Sequence, residues 1–348
     1  MKTHVFNLLL IAGLLASSSP DARAEYVKKV YKSWPAREVQ TLNVENKFGN
    51  ITFLYTRTDS VVINIQVEIK NLSGSKAQNL ADMIRFKFSS SDGIVKATTT
   101  FDDDFKTNQD FEINYTIYIQ EDKNLMIENK YGNLVLGNLN AKGMFDIAYG
   151  NITGKNLSAP DDEFIRLELK YGTGFLAEVN RLEAKIGYSK FRSDQVATAR
   201  LDTKYSVLSI ERCGRIMADS RYDNYQIDKV QEATIDTKFT GWSINELNKI
   251  LKMENQYGDI DIDHVSPHFE SIRLENQYGN IQLGMASDAR YSLKAQAVYC
   301  KVRYPRSAET FRYIEDNNNI TIDAVVGGGE PESTIVIESQ YGNVDLME

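Results

Sequence analysis

Residues 201–245 read LDTKYSVLSI ERCGRIMADS RYDNYQIDKV QEATIDTKFT GWSIN, and within them Tyr205, Tyr222 and Phe239 stand 17 residues apart. The rhythm extends both ways: Tyr131, Tyr149, Tyr171 and Tyr188 precede this stretch, and Tyr257 and Tyr278 follow, at intervals of 17 to 22 residues. Self-similarity at such a period marks a solenoid, in which each repeat stacks only on its neighbours.

Aligning the units on the aromatic brings out further columns. Four residues before it the chain is mostly apolar (Ile127, Phe145, Leu167, Leu201, Ile235, Leu274). Three before it stands an acid in eight of nine units, from Glu128 and Asp146 to Glu254 and Glu275, with Lys185 the exception. One before it is often basic or amide, as in Lys130, Lys170, Lys204, Arg221, Lys238, Gln256 and Gln277. This alternation has period two, so it reads as a strand with one inward face. Gly, Asn or Asp usually follows the aromatic, and we expect these residues to supply the positive φ of a tight corner. Inward positions resume three and five residues past the aromatic (Leu208 and Ile210, Tyr225 and Ile227, Trp242 and Ile244) and again at eight (Cys213, Val230, Leu247). The fold class is therefore all-β: a parallel β-helix or solenoid with coils of 17–22 residues, read as right-handed because no six-residue repeat of branched aliphatics is visible.

The chain has 348 residues and a net charge of −8, which disfavours nucleic acid as a partner. Met1 to Ala24 reads as a signal peptide: Lys2 and His4, an apolar run from Val5 to Ala16, then Ala22-Arg23-Ala24 for cleavage. No stretch is long and apolar enough to be a transmembrane segment. Residues 25–125 read as a first coil around Phe48 plus a β-rich N-terminal cap, with strands at Val61–Ile69, Ile84–Phe88, Ile94–Thr99 and Phe111–Ile119 and a short helix over Ser75–Met83. Residues 126–348 are the solenoid repeats; beyond Tyr278 they are expected to continue in chain order through Tyr299, Asn317 and Tyr341. On that order Cys213 and Cys300 lie five coils apart, too far for a disulfide.

Reactive groups are sparse. Three His occur, His4, His264 and His268. Asp259, Asp261 and Asp263 alternate along one strand and run into His264, the best carboxylate cluster in the chain. Parallel β-helix polysaccharide lyases and hydrolases place acids on such a face, but they need carboxylates converging from neighbouring coils. The equivalent positions here are Gly241 and Ser243 on one side and Asn280, Gln282 and Gly284 on the other. No nucleophile, phosphate-loop or zinc motif is present, and we assign no catalytic, cofactor-binding or metal-binding residue.

The units Asn46-Lys47-Phe48-Gly49-Asn50 and Asn129-Lys130-Tyr131-Gly132-Asn133, with the leader and the cap-then-repeats layout, resemble the putative-adhesin β-helix family of bacterial, Bacteroidetes-type envelopes, formally of unknown function. The resemblance implies an exported, non-enzymatic β-solenoid in the periplasm or at the cell surface, binding an envelope protein or glycan. It carries no site residues to transfer. The middle coils depart from the motif at Gly187-Tyr188-Ser189 and Lys204-Tyr205-Ser206. If the leader is read correctly, intact-mass analysis of exported protein should place the mature start at Glu25; retained Met1 would overturn that reading.

Overall fold

Alternating burial along each strand builds the core. Between Lys190 and Lys204 the side chains of Phe191, Ser193, Val196, Ala199, Leu201 and Thr203 are buried, while Lys190, Arg192, Arg200, Asp202 and Lys204 face out. In the computed structural model, which describes residues 25–160 and 162–347, this strand pairs in parallel and in register with Thr173–Gly187 on one side and Val207–Arg221 on the other. Pairing to the second neighbour lapses at Asp194 and Ala197, which divides the layer into three straight runs. Repetition of this unit makes a parallel β-solenoid. The inward columns read from the sequence form its core: Leu208, Ile210 and Cys213 in one layer and Tyr225, Ile227 and Val230 in the next are at most 4% exposed. Tyr225 and Trp242 stack inside it at 3.9 Å. The leader expected over residues 1–24 lies outside the described residues.

The Phe48 layer seats directly on the Tyr131 layer, with Val44 opposite Ile127. The residues between them form the cap. Ile94–Phe101 and Phe111–Ile119 extend the two sheets, and Ile84–Ser91, Ser60–Lys70 and Glu25–Pro35 add antiparallel strands. The helix Gly74–Asp82 buries Ala77 and Ala81 against this end.

At the other end the stacking departs from chain order. Ser333–Gln340 pairs in parallel with Ser271–Gln277 on one side and with Tyr291–Val298 on the other. Val344–Met347 likewise lies between Ile281–Met285 and Val302–Arg303. The Tyr341 layer is thus inserted between those of Tyr278 and Tyr299, and Cys213 is six layers from Cys300 rather than five. Asn317 is no layer corner. It sits with φ 54° in the two-residue turn of an antiparallel hairpin joining Glu309–Asp316 to Asn319–Val326. Spacing alone could not reveal this, because a layer can hydrogen-bond equally well to whichever neighbour arrives first.

The corner also differs from expectation. The aromatic itself, not the residue after it, takes the left-handed conformation, with φ between 53° and 62° in all twelve layers from Phe48 to Tyr341. For a non-glycine residue this costs about 1–2 kcal/mol. The following glycine is needed for space instead. A Cβ on Gly279 would stand 1.8 Å from the carbonyl oxygen of Gly258, and one on Gly342 would stand 1.8 Å from that of Gly279. Gly187, one residue before its aromatic, meets nothing within 4 Å. Accordingly Gly279→Ala should cost at least about 2 kcal/mol in a denaturant titration or prevent folding, whereas Gly187→Ala should be neutral or slightly stabilising. Equal effects would refute the close approach.

Candidate functional site

Most corners are held by a polar plug that the sequence reading missed. Where glycine follows the aromatic, a buried Asn two residues before it commonly reaches across. The Nδ2 of Asn129 donates to the Gly49 carbonyl at 3.0 Å, and that of Asn255 donates to the Gly258 carbonyl and to Oδ1 of Asn276 at 2.7 Å. In the middle layers a buried Ser, Asp or Thr follows the aromatic instead. Ser206 Oγ accepts from the Ser189 amide, and Asp223 Oδ1 accepts from the Ser206 amide at 2.7 Å. The second residue past the aromatic supplies an outer ladder, in which Asn133 Oδ1 accepts from the Asn151 amide and Asn280 Oδ1 from the Asn343 amide. The recurring Asn-Lys-aromatic-Gly-Asn unit is therefore a set of corner fittings. Its signal was present as hydrogen-bonding types at fixed offsets.

These fittings bring the aromatics into one continuous stack. Twelve rings, in the spatial order Phe48, Tyr131 through Tyr278, Tyr341 and Tyr299, sit 4.7–5.2 Å apart with planes within 14° of parallel. Offset stacking of this kind is worth about 0.5–1.5 kcal/mol per pair, comparable to the backbone strain at each corner. The rings are nonetheless 37% to 57% exposed. Each interior ring has both faces covered by its neighbours, so solvent meets only edges and hydroxyls. The Phe48 end is closed by Phe101 and Phe111.

Beside this strip runs the acidic column, in register from Glu45 through Glu128, Asp146, Glu168, Lys185, Asp202, Asp219, Asp236, Glu254 and Glu275 to Glu338. Compensation comes largely from within each strand: Lys130 reaches Glu128 at 2.7 Å, Lys170 pairs with Glu168, and Arg221 lies 3.6 Å from Asp219. Past Lys238 the neighbouring column turns to Gln256, Gln277 and Gln340, and the cations come from the opposite side, as with Arg273, 3.2 Å from Glu275. Asp146 is the weak point. Ala148 occupies its basic slot, and partial burial, then Glu168 and Glu128, raise its carboxyl above the usual aspartate range. An open groove of about 510 Å³ runs over Leu201, Ala218 and Ile235 between the outward columns.

The sequence-predicted cluster does not assemble into a site. Asp259, Asp261, Asp263 and His264 are all exposed. Asp259 Oδ1 is used structurally, accepting from the Asn280 amide at 2.8 Å. Asp261 stands between Ser243 and Gln282, and loss of some hydration at the sheet surface, followed by Asp263 and Asp259, raises its carboxyl. His264 lies opposite Glu246 of the neighbouring layer. His268 is exposed, with Nδ1 4.0 Å from Glu332. Among the described residues no group of three or more His, Cys, Asp or Glu is disposed to hold a metal, and no helix is long and apolar enough to cross a membrane.

The fold and this surface define a β-solenoid with a stacked aromatic edge and a charge-compensated sheet. No protein-family model and no curated protein matches the chain. Among solved structures it is similar to a putative adhesin from Bacteroides fragilis, at 10% identity and TM-score 0.34 over 92% of this chain and 97% of that one. It is likewise similar to a putative cell adhesion protein from Clostridium sporogenes (11%, TM-score 0.21, 92% and 99% covered). A putative lipid binding protein from Parabacteroides distasonis matches at 9% and TM-score 0.34, over 75% and 92%. Likeness at this level transfers no ligand and no site.

The Asp146 shift has a definite sign. A folded-state pKa above the unfolded value means that the ionised carboxylate destabilises the fold at neutral pH, and the penalty vanishes once both states are protonated. Asp146→Asn should therefore raise stability at pH 7, with the gain fading as pH falls through the folded pKa to the ordinary aspartate value near 4. A gain that persists at pH 3 would mean that charge is not its origin.

Proposed function

We propose that this protein is an exported, non-enzymatic β-solenoid that acts at the cell envelope as an adhesin-like binding or scaffold protein. The observation that carries the reading is the outward surface: a row of tyrosine edges and hydroxyls beside an acidic column flanked by cations, repeated at one spacing along the solenoid. Such a surface suits an extended partner, an envelope protein or a glycan, that can make the same contact many times. Because the ring faces are covered, a glycan would be met by phenol hydroxyls, carboxylates and amides rather than by stacking. The groove over Leu201, Ala218 and Ile235 offers a path along the same face. Against catalysis stands the Asp259–His264 strand, which has Ser243 and Gln282 where a second pair of carboxylates would be required.

The test is a screen of the mature chain against envelope proteins and against acidic and neutral polysaccharides, with and without calcium, scoring both capture and turnover. We expect capture without turnover, unchanged when Asp259, Asp261 and Asp263 become Asn and His264 becomes Ala. Release of unsaturated or reducing sugar ends by the wild type, abolished in that variant, would replace this reading with a polysaccharide lyase or hydrolase.

A further inference from the structure

Among the described residues, the sheet that carries the acidic column ends, on each side, in a strand bonded along one edge only. At the cap this is Ile84–Ser91, paired solely with Ile94–Phe101. At the far end it is Glu309–Asp316, paired solely with Asn319–Val326. Both strands are eight residues long. Glu309–Asp316 is exposed at every position, and Phe311, Tyr313 and Ile314 are 64%, 52% and 43% exposed. An open edge bearing large apolar side chains is a template for strand addition.

The two edges match in charge and direction. Ile84–Ser91 carries Arg85 and Lys87 and no acid, with Lys32 nearby over the Phe88 ring. Arg85 is engaged by Asp102 at 2.9 Å, and Lys87, which is exposed, makes no ion pair among the described residues. Glu309–Asp316 carries Glu309, Glu315 and Asp316 against the single Arg312. Ile84–Ser91 runs antiparallel to a strand that follows the common direction of the layers. Two antiparallel steps bring Glu309–Asp316 back to that common direction. A second copy placed end on end along the same axis therefore presents the two edges as an antiparallel pair. Like ends would set acid against acid or cation against cation, so each edge is guarded against its own kind.

We propose that Glu309–Asp316 of one copy adds to Ile84–Ser91 of a second copy, joining the solenoids head to tail through a continuous sheet. The contact is heterologous and does not close on itself, so it propagates into linear chains. This inference does not depend on the envelope role.

The mature chain should show a light-scattering mass that rises several-fold between about 1 and about 100 µM at low salt and falls back at high salt, with end-to-end rods in electron micrographs. Two exposed-surface variants separate the ends: Glu315→Arg with Asp316→Arg, and Lys87→Glu with Ser89→Glu. Each alone should be a monomer with the far-ultraviolet spectrum and melting temperature of the wild type, and a 1:1 mixture should regain assembly by alternating the two copies. A wild type that stays monomeric over this range, a mass that stops at a dimer, or a mixture that remains monomeric would each overturn the proposal.

Discussion

Hydrogen bonding between parallel layers fixes a separation of about 4.8 Å, and every column of side chains on the solenoid inherits it. For aromatic rings that distance is favourable, since offset faces meet and repay the left-handed backbone on which each ring is mounted. For carboxylates it is unfavourable, and the acidic column persists because cations two residues away in the same strand reach back to it, as Lys130 does to Glu128. For the corner backbone it leaves no room, so Gly279 and Gly342 lie against the carbonyl below at a distance no side chain could share. One spacing thus selects ring, charge and glycine at three different offsets.

Much of this was legible in the sequence because periodicity reports burial. The inward columns at Leu208, Ile210 and Cys213, the acid column, and the helix near Ala77 and Ala81 all follow from which positions must be apolar. What periodicity does not report is conformation at a single residue. Glycine after an aromatic suggests positive φ by propensity, yet at Gly132 the constraint is a carbonyl 1.8 Å from where its Cβ would be, while Tyr131 takes the positive φ. Nor does spacing report the order of stacking. Tyr341 and Tyr299 carry equivalent signals, and only the strands around them decide which lies next to Tyr278. The hairpin at Asn317 was foreshadowed by two Asn between alternating strands, a turn signal hidden by the stronger expectation of another coil.

The candidate site was legible only in outline. Proximity along one strand made Asp259, Asp261, Asp263 and His264 look like a cluster, but chemistry depends on what neighbouring layers contribute, and register brings Ser243, Gln282 and Glu246 beside them. The features that distinguish the surface arise from pairing instead. The tyrosine ladder is legible from its rhythm, but only the stacked rings show that their faces are covered and their edges turned outward.

The inserted Tyr341 layer carries a mechanical consequence. A solenoid whose layers follow chain order can be unzipped from either end one coil at a time, each step breaking one seam. Here Ser333–Gln340 is bonded along both flanks, and the hairpin and Tyr291–Val298 lie outside it although they come earlier in the chain. Tension applied at that strand loads two seams at once, because the Tyr291–Val298 layer is joined to the rest of its sheet through it. The later residues act as a dowel through the earlier ones, so the last strands of the chain cannot leave without parting the layers on both sides of them.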